Sequence, residues 1–246
     1  MSEKITTHTM QTFFYPAGSR GHADHGWLNA FHSFSFAGYY NPSRMHFGAL
    51  RVLNDDTVAG GQGFGMHPHD NMEIVTIPLE GALEHKDSMG NSSVINAGDV
   101  QVMSAGTGVY HSEFNHFPDR PVKLLQIWVF PNEQGVKPRY DQRTFSPKEF
   151  HNTFKTVVSD NDPDAMYLHQ HAAFSIGELE KGMNIKYNVK HNGNGIYVFV
   201  ISGVVTIGEN TLGKRDAVGI TETTSISVST SENAKVLIIE IPMTLE

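Results

Sequence analysis

The chain reads as short apolar or alternating runs separated by turn residues, which is the text of strands. Phe31-His32-Ser33-Phe34-Ser35-Phe36 alternates rings with polar residues and predicts a strand with one buried face. Gly48–Leu53 predicts another, ended by Asn54-Asp55-Asp56. Met72–Leu79 is a strand broken at Gly81, and Ala82–His85 continues the hairpin. Ser88-Met89-Gly90-Asn91 has turn chemistry. Ser93–Asn96 and Val100–Met103 are strands around the turn Ala97-Gly98-Asp99, and Lys123–Phe130 is a long apolar strand closed by Pro131.

Residues 131–165 change character. Pro131, Pro138, Pro147 and Pro163 punctuate polar text such as Ser159-Asp160-Asn161-Asp162-Pro163, as a connection between domains does. The second half then echoes the first. Ser202-Gly203 answers Glu80-Gly81, Arg215-Asp216 answers Gly98-Asp99, and Lys235–Ile241 answers Lys123–Phe130. The expectation is an all-β protein of two similar units. The first covers 1–131, a linker and the start of the second unit cover 132–165, and the remainder covers 166–246.

Composition narrows the field. Glycine is abundant (23), proline moderate (11) and helix-favouring runs are few, which supports many short strands. The net charge is −8 and no run of Lys or Arg stands out, against direct binding to nucleic acid or to an anionic membrane. A regulatory protein partner stays open. There is no cysteine, so disulfides, zinc–thiolate sites and cysteine nucleophiles are excluded. Met1–His8 lacks the apolar stretch of a signal peptide, and the longest apolar run, Ile196–Ile201, is too short to cross a bilayer. A soluble cytoplasmic protein is expected.

The chemistry gathers in residues 61–73 and 110–115. His67 and His69 are two apart, and on a strand both rings would share a face. His111 and Glu113 repeat the spacing. Three imidazoles and a carboxylate form a mixed N/O set that suits a first-row divalent ion. Glycines at 60, 61, 63 and 65 precede these residues and no Lys-Ser/Thr helix start follows, so a phosphate-binding loop is a poor reading. Laying Gly203 on Gly81 without gaps puts His191 over His69, Val189 over His67 and Gly195 over Glu73. Laying Asp216 on Asp99 puts Val228 over His111 and Thr230 over Glu113. The second unit is therefore expected to lack a complete metal site. His169-Gln170-His171 is a rival His-x-His, with no later His-x-Glu to complete it. It reads as a polar strand face near the domain interface. His22, His25, His32 and His46 read as surface or hydrogen-bonding residues.

At these residues the sequence resembles the cupins. Their first motif corresponds to Gly61, His67, His69, Glu73 and Gly81, and their second to Gly98, Gly106, His111 and Asn115. The closer resemblance is to the pirin family, above all its bacterial quercetinase-type members. It is carried by Arg20–Trp27, Phe34–Ala37, Ala49–Asp56, Gly63–His69, Leu79–Asn91, Met103–Glu113 and Gln126–Trp128, and is loose beyond about Phe145. It implies a bicupin, two tandem jelly-roll β-barrels. It also implies one divalent metal held by His67, His69, His111 and Glu113. In many other cupins the first-motif glutamate, here Glu73, is the ligand; the pirin resemblance makes Glu73 a supporting or plain strand residue.

Four protein ligands on an octahedral ion leave about two positions open. Iron(II) is the first choice for such a set; manganese, cobalt, nickel, copper and zinc share the ligand preference. The resemblance implies cleavage of a flavonol such as quercetin with O2 and release of CO. Glu113 is then the candidate catalytic base, and Phe34, Phe36, Met66 and Phe114 are candidate pocket walls. A second class of function in the same family is a metal-dependent redox sensor that binds transcription factors or metabolic enzymes. A third reading is an enzyme whose substrate is not a flavonoid.

Overall fold

A computed structural model describes residues 10–245. The reading of Met1–His8, and the outermost ends of the expected units, lie outside those residues. The described chain is built from antiparallel strands, with one short 3-10 turn and one four-residue helix, Pro147–Phe150. Among the described residues no helix is long and apolar enough to cross a membrane.

Each unit is a sandwich of a large and a small sheet. In the first, the large sheet runs Arg139–Thr144, Asp99–Ser104, Glu73–Glu80, Val122–Val129, Leu50–Val58, Leu28–His32, Gly21–Asp24. Its small sheet runs Gly63–His69, Val109–Asn115, Ala82–Asp87, Ser92–Asn96. In the second unit the large sheet runs Gln11–Tyr15, Ala217–Thr221, Gly195–Ser202, Ala234–Ile241, Ala173–Leu179, Lys155–Ser159. Asn184–Asn188, Ser225–Thr230, Val205–Ile207 and Asn210–Leu212 complete that unit.

The two large sheets meet across a shared core, in which Leu50, Leu53, Leu125 and Ile127 pack with Phe174, Phe199, Leu237 and Ile239. Their central strands are buried on both faces, so Gly195–Ser202 and Ala234–Ile241 read as nearly continuous apolar runs. In Ala234–Ile241, Leu237, Ile239 and Ile241 face the shared core, while Val236 and Ile238 belong to the interior of the second unit. Val122–Val129 divides in the same way. Leu125, Ile127 and Val129 join the shared core. Leu124, Gln126 and Trp128 line a cavity inside the first unit.

Strand pairing crosses the boundaries expected from sequence. Gln11–Tyr15 pairs with Ala217–Thr221 and so extends the second unit. The stretch expected as a linker and the start of the second unit holds the strand Arg139–Thr144, which pairs with Asp99–Ser104 of the first unit; Lys155–Ser159, within the same stretch, does begin the second unit. Prolines there bound the elements without preventing them; Pro147 opens the small helix, which Ser146 and Glu149 close with reciprocal capping bonds. Leu50–Val58 does not stop at Asn54-Asp55-Asp56, because it is paired along both edges. Asp55 is held there by Arg20 at 3.2 Å and by the fork of Arg215 at 2.8 and 3.1 Å. The strand expected at 31–36 ends at His32, since the chain turns away through Ser35, whose hydroxyl bonds Asn41.

Glu73 ties the units together. Its Oε2 accepts from Ser104 Oγ at 2.8 Å and from the His169 backbone N–H at 3.0 Å. The side chain is 1 % exposed, and burial pushes its carboxyl up to about 7. The folded state therefore holds this proton more tightly than the unfolded chain. Its contribution is complete below about pH 4.5 and lost as pH rises through about 7. A rise of that size corresponds to about 3 kcal/mol. Glu73→Gln keeps the acceptor and removes the titration. Its melting temperature should fall less than the parent's between pH 5 and 8; superimposable pH profiles would refute the assignment.

Candidate metal centre

Gly63–His69 and Val109–Asn115 are neighbours, with His111 opposite His67 and Val109 opposite His69. Residues two apart share a face, so His67, His69 and His111 converge. Ring centroids lie 4.4 Å apart for His67 and His111, and 4.9 Å apart for each of the other two pairs. One ring nitrogen of each lies within 4.8 Å of the other two. A bulge between His111 and Glu113 shifts the register, setting Glu113 opposite Phe64. Glu113 accordingly falls in an overlapping group with His111 and His85.

His85 escaped the sequence reading. It stands on Ala82–Asp87, opposite Glu113, with a fully buried side chain. Its Nε2 lies 3.1 Å from Asp87 Oδ2, and its Nδ1 lies 3.5 Å from His111 Nδ1. An ionised carboxylate only accepts, so His85 carries its proton on Nε2 and presents a bare Nδ1. His111 must then donate from Nδ1, leaving its Nε2 as a lone pair. That atom is buried and has no hydrogen-bond partner. His67 is set likewise, since its Nδ1 lies 2.8 Å from the Gly65 carbonyl oxygen and donates to it. The available signal was the spacing itself: His85-x-Asp87 repeats the two-residue step.

Burial decides the charge. It lowers the His111 imidazole to about 2, helped by His67 and His69, and lowers His69 to about 4, helped by His67. These rings are neutral, as metal ligands must be. Burial raises Glu113 to about 7, against the opposing hydrogen bond from Gln126. Gln126 Nε2 donates to both Glu113 oxygens at 3.1 and 3.0 Å, and Thr76 Oγ1 fixes Gln126 from behind at 2.8 Å. Asp56 is raised to about 8 by burial, then by the charges of Asp55 and Glu113. Neutral imidazoles, an orphaned buried lone pair and two reluctant carboxyls fit a divalent cation, which supplies the missing positive charge.

The site opens on a cavity of about 510 Å³. Its walls include Trp27, Phe36, Phe64, Leu83, Leu124 and Trp128, and its polar groups include Asn54, Asp56, His67, His69, Glu113 and Gln126. An apolar chamber with a few convergent polar groups is the form of a small-molecule site. Of the four expected walls, Phe36 is one. Phe34 lies in the shared core between the units. Met66 and Phe114 point outward, 60 % and 39 % exposed, because each is one residue out of step with its strand's inward histidine or glutamate. Glu73 stands apart, bound to Ser104 and His169. His169 and His171 lie outside the strands, so the expected polar strand face is not formed. His22, His32 and His46 hydrogen-bond to Asn29, Asn54 and the Gly48 carbonyl.

The profile of the pirin family matches residues 14–129, and that of the quercetinase C-terminal cupin domain matches residues 156–241. An Escherichia coli protein named quercetin 2,3-dioxygenase is 41 % identical over 227 residues, 92 % of this chain and 96 % of that one. The crystal structure of YhhW from Escherichia coli superposes with a TM-score of 0.91 at 39 % identity, covering 96 % of this chain and 100 % of that chain. A structure of bacterial pirin YhhW in complex with nickel(II) gives a TM-score of 0.89 at 39 % identity, covering 94 % and 99 %. The two sandwich units are thus tandem cupin domains, and the chain belongs to the pirin family.

Proposed function

We propose that the chain is a metal-dependent dioxygenase of the quercetin 2,3-dioxygenase type, which cleaves a flavonol with O2 and releases CO. The observation that carries this reading is the bare, buried Nε2 of His111, grouped with His67 and His69 beside an apolar cavity. His67, His69, His111 and Glu113 would hold the ion, with iron(II) the first choice. When bound, it supplies Lewis acidity that lowers the pKa of the flavonol 3-hydroxyl.

The remaining work falls to the chain. Trp27, Phe64 and Trp128 exclude water and offer flat apolar surfaces to an aromatic substrate. Glu113, the carboxylate of the proposed set, takes the hydroxyl proton. Gln126, braced by Thr76, keeps the Glu113 carboxylate aimed into the cavity. The names carried by relatives support the substrate class, and the nickel complex of YhhW supports a divalent ion.

Protein purified without added metal should carry about one equivalent of a first-row divalent ion in the first unit. His111→Ala should lose it, as elemental analysis will report; full retention would remove His111 from the ligand set. His85→Ala leaves the proposed ligands in place but frees the His111 ring to choose its tautomer. Its metal affinity should fall by about 10–100-fold, measured by competition with a chelator. With quercetin, oxygen uptake should be saturable, and Glu113→Gln should lower kcat by about 10²–10⁴-fold. Unchanged turnover in that variant would end the role of Glu113 as base. Absence of saturable uptake across a flavonol panel, with metal bound, would end the dioxygenase reading and spare the metal centre.

A further inference from the structure

A second cluster of ligand-type side chains lies in the other unit. Asp160 follows the strand Lys155–Ser159, His171 precedes Ala173–Leu179, and His191 precedes Gly195–Ser202. One ligand atom from each lies within 4.8 Å of the other two. The Asp160 carboxylate stands between the rings. Its Oδ2 accepts a hydrogen bond from His171 Nδ1 at 2.7 Å, and its Oδ1 is 2.8 Å from His191 Nε2.

The protons on His191 are constrained from behind. Glu240 is fully buried and accepts from the backbone N–H of Lys190 at 2.7 Å, the backbone N–H of His191 at 2.6 Å and the Tyr187 hydroxyl at 3.1 Å. Its Oε1 also lies 3.2 Å from His191 Nδ1. A carboxylate so employed is an acceptor, so Nδ1 donates to it and Nε2 is the ring atom that faces Asp160 Oδ1. Both atoms are buried, and despite their 2.8 Å separation their geometry makes no hydrogen bond. A proton on Nε2 would not point at Oδ1, whereas a metal ion could bind both atoms. Adjacent N and O ligands of an ion bound at 2.0–2.2 Å stand about 3 Å apart, close to the spacing seen here. The carboxylate-to-histidine contact behind the ring is the usual support of a metal-ligating imidazole.

Position supports the same conclusion. Glu73–Glu80 and Gly195–Ser202 are equivalent strands, each starting opposite the C-terminal end of its unit's partner, Val129 or Ile241. His69 precedes the first by four residues and His191 precedes the second by four. Trp128 and Glu240 then occupy matching places, next to the respective last residues. Trp128 packs on His69 at 4.8 Å between ring centroids, and Glu240 holds His191. The second unit has kept the imidazole and exchanged its neighbours.

We propose that Asp160, His171 and His191 form a second divalent-metal site, oriented through Glu240, that ties the segment 160–171 to the loop before Gly195. Two imidazoles and one carboxylate select a first-row ion such as zinc, cobalt(II) or nickel over calcium or magnesium, which favour all-oxygen shells. His171 is 66 % exposed at its side chain, so the remaining coordination positions face solvent. The site is independent of the dioxygenase reading.

The full-length chain with His67→Ala and His111→Ala, stripped with a chelator, isolates the second site. Titration with cobalt(II), followed by calorimetry and visible absorption, should give one equivalent bound. Zinc should raise the melting temperature of this protein. Adding His171→Ala, a change at an exposed side chain, or Asp160→Asn should weaken cobalt binding by at least about tenfold and abolish the zinc-dependent rise. Circular dichroism confirms folding of each variant. The proposal fails if the two-histidine variant binds no cobalt, or if its affinity is unchanged by both additional substitutions.

Discussion

Register in the two large sheets governs everything else. A strand buried on both faces serves two interiors at once, and its side chains alternate between them. On Val122–Val129 the odd residues Leu125, Ile127 and Val129 build the shared core, and the even residues Leu124, Gln126 and Trp128 build the cavity. A slip by one residue would exchange the sets, putting Gln126 into the core and a leucine against Glu113. Neighbours on both sides fix the pairing, Glu73–Glu80 on one and Leu50–Val58 on the other. Gly81, with φ of +78°, is where the chain passes from the large sheet into Ala82–Asp87 of the small sheet, so the hairpin expected there is not formed; a Cβ would press on the Pro121 carbonyl at 3.1 Å. The shared core and the candidate centre are therefore two products of one alignment.

Filling a barrel with imidazoles and carboxyls is costly, since a buried polar group without a partner loses about 1–3 kcal/mol. The first unit limits that cost by chaining its polar groups. Asp87 sets His85, and His85 sets His111. Thr76 sets Gln126, and Gln126 sets Glu113. Each chain ends at an atom directed to the centre. Burial suppresses the remaining charge by lowering the imidazoles and raising Glu113 and Asp56. The His111 Nε2 lone pair is left buried and unsatisfied, and a cation is its fitting partner.

What was legible in the sequence was what depends on local geometry. His67 with His69, and His111 with Glu113, declare their common faces through a spacing of two, and the repeated strand pattern declares two units. His85 carries the same spacing with Asp87, but an isolated His-x-Asp at a strand end does not declare the ring it will face. Properties set by pairing across the sheet were not legible. Asp56 looked like turn text, but pairing on both edges keeps Leu50–Val58 extended and delivers Asp56 to the cavity. Phe34 looked like a pocket wall and belongs to the shared core, because the chain leaves the strand after His32. The exchange of Gln11–Tyr15 into the second unit left no local mark, since a strand does not encode its partner.

The two units show how one topology tolerates opposite interiors. Val228 aligns with His111 and is fully buried in an apolar core with Val198, Val218 and Ile238. With no imidazole on the facing strand, an inward histidine would have no partner there. His191 instead meets Asp160 and His171, both contributed by connections outside the barrel strands. Glu240 makes this arrangement feasible, because its carboxylate gathers the Lys190 and His191 amides as well as the His191 ring. A tryptophan at that place, as in the first unit, could accept none of these bonds. The difference between an internal polar site and a peripheral one thus rests on a few inward positions. The sheet order and pairing that surround them are nearly the same.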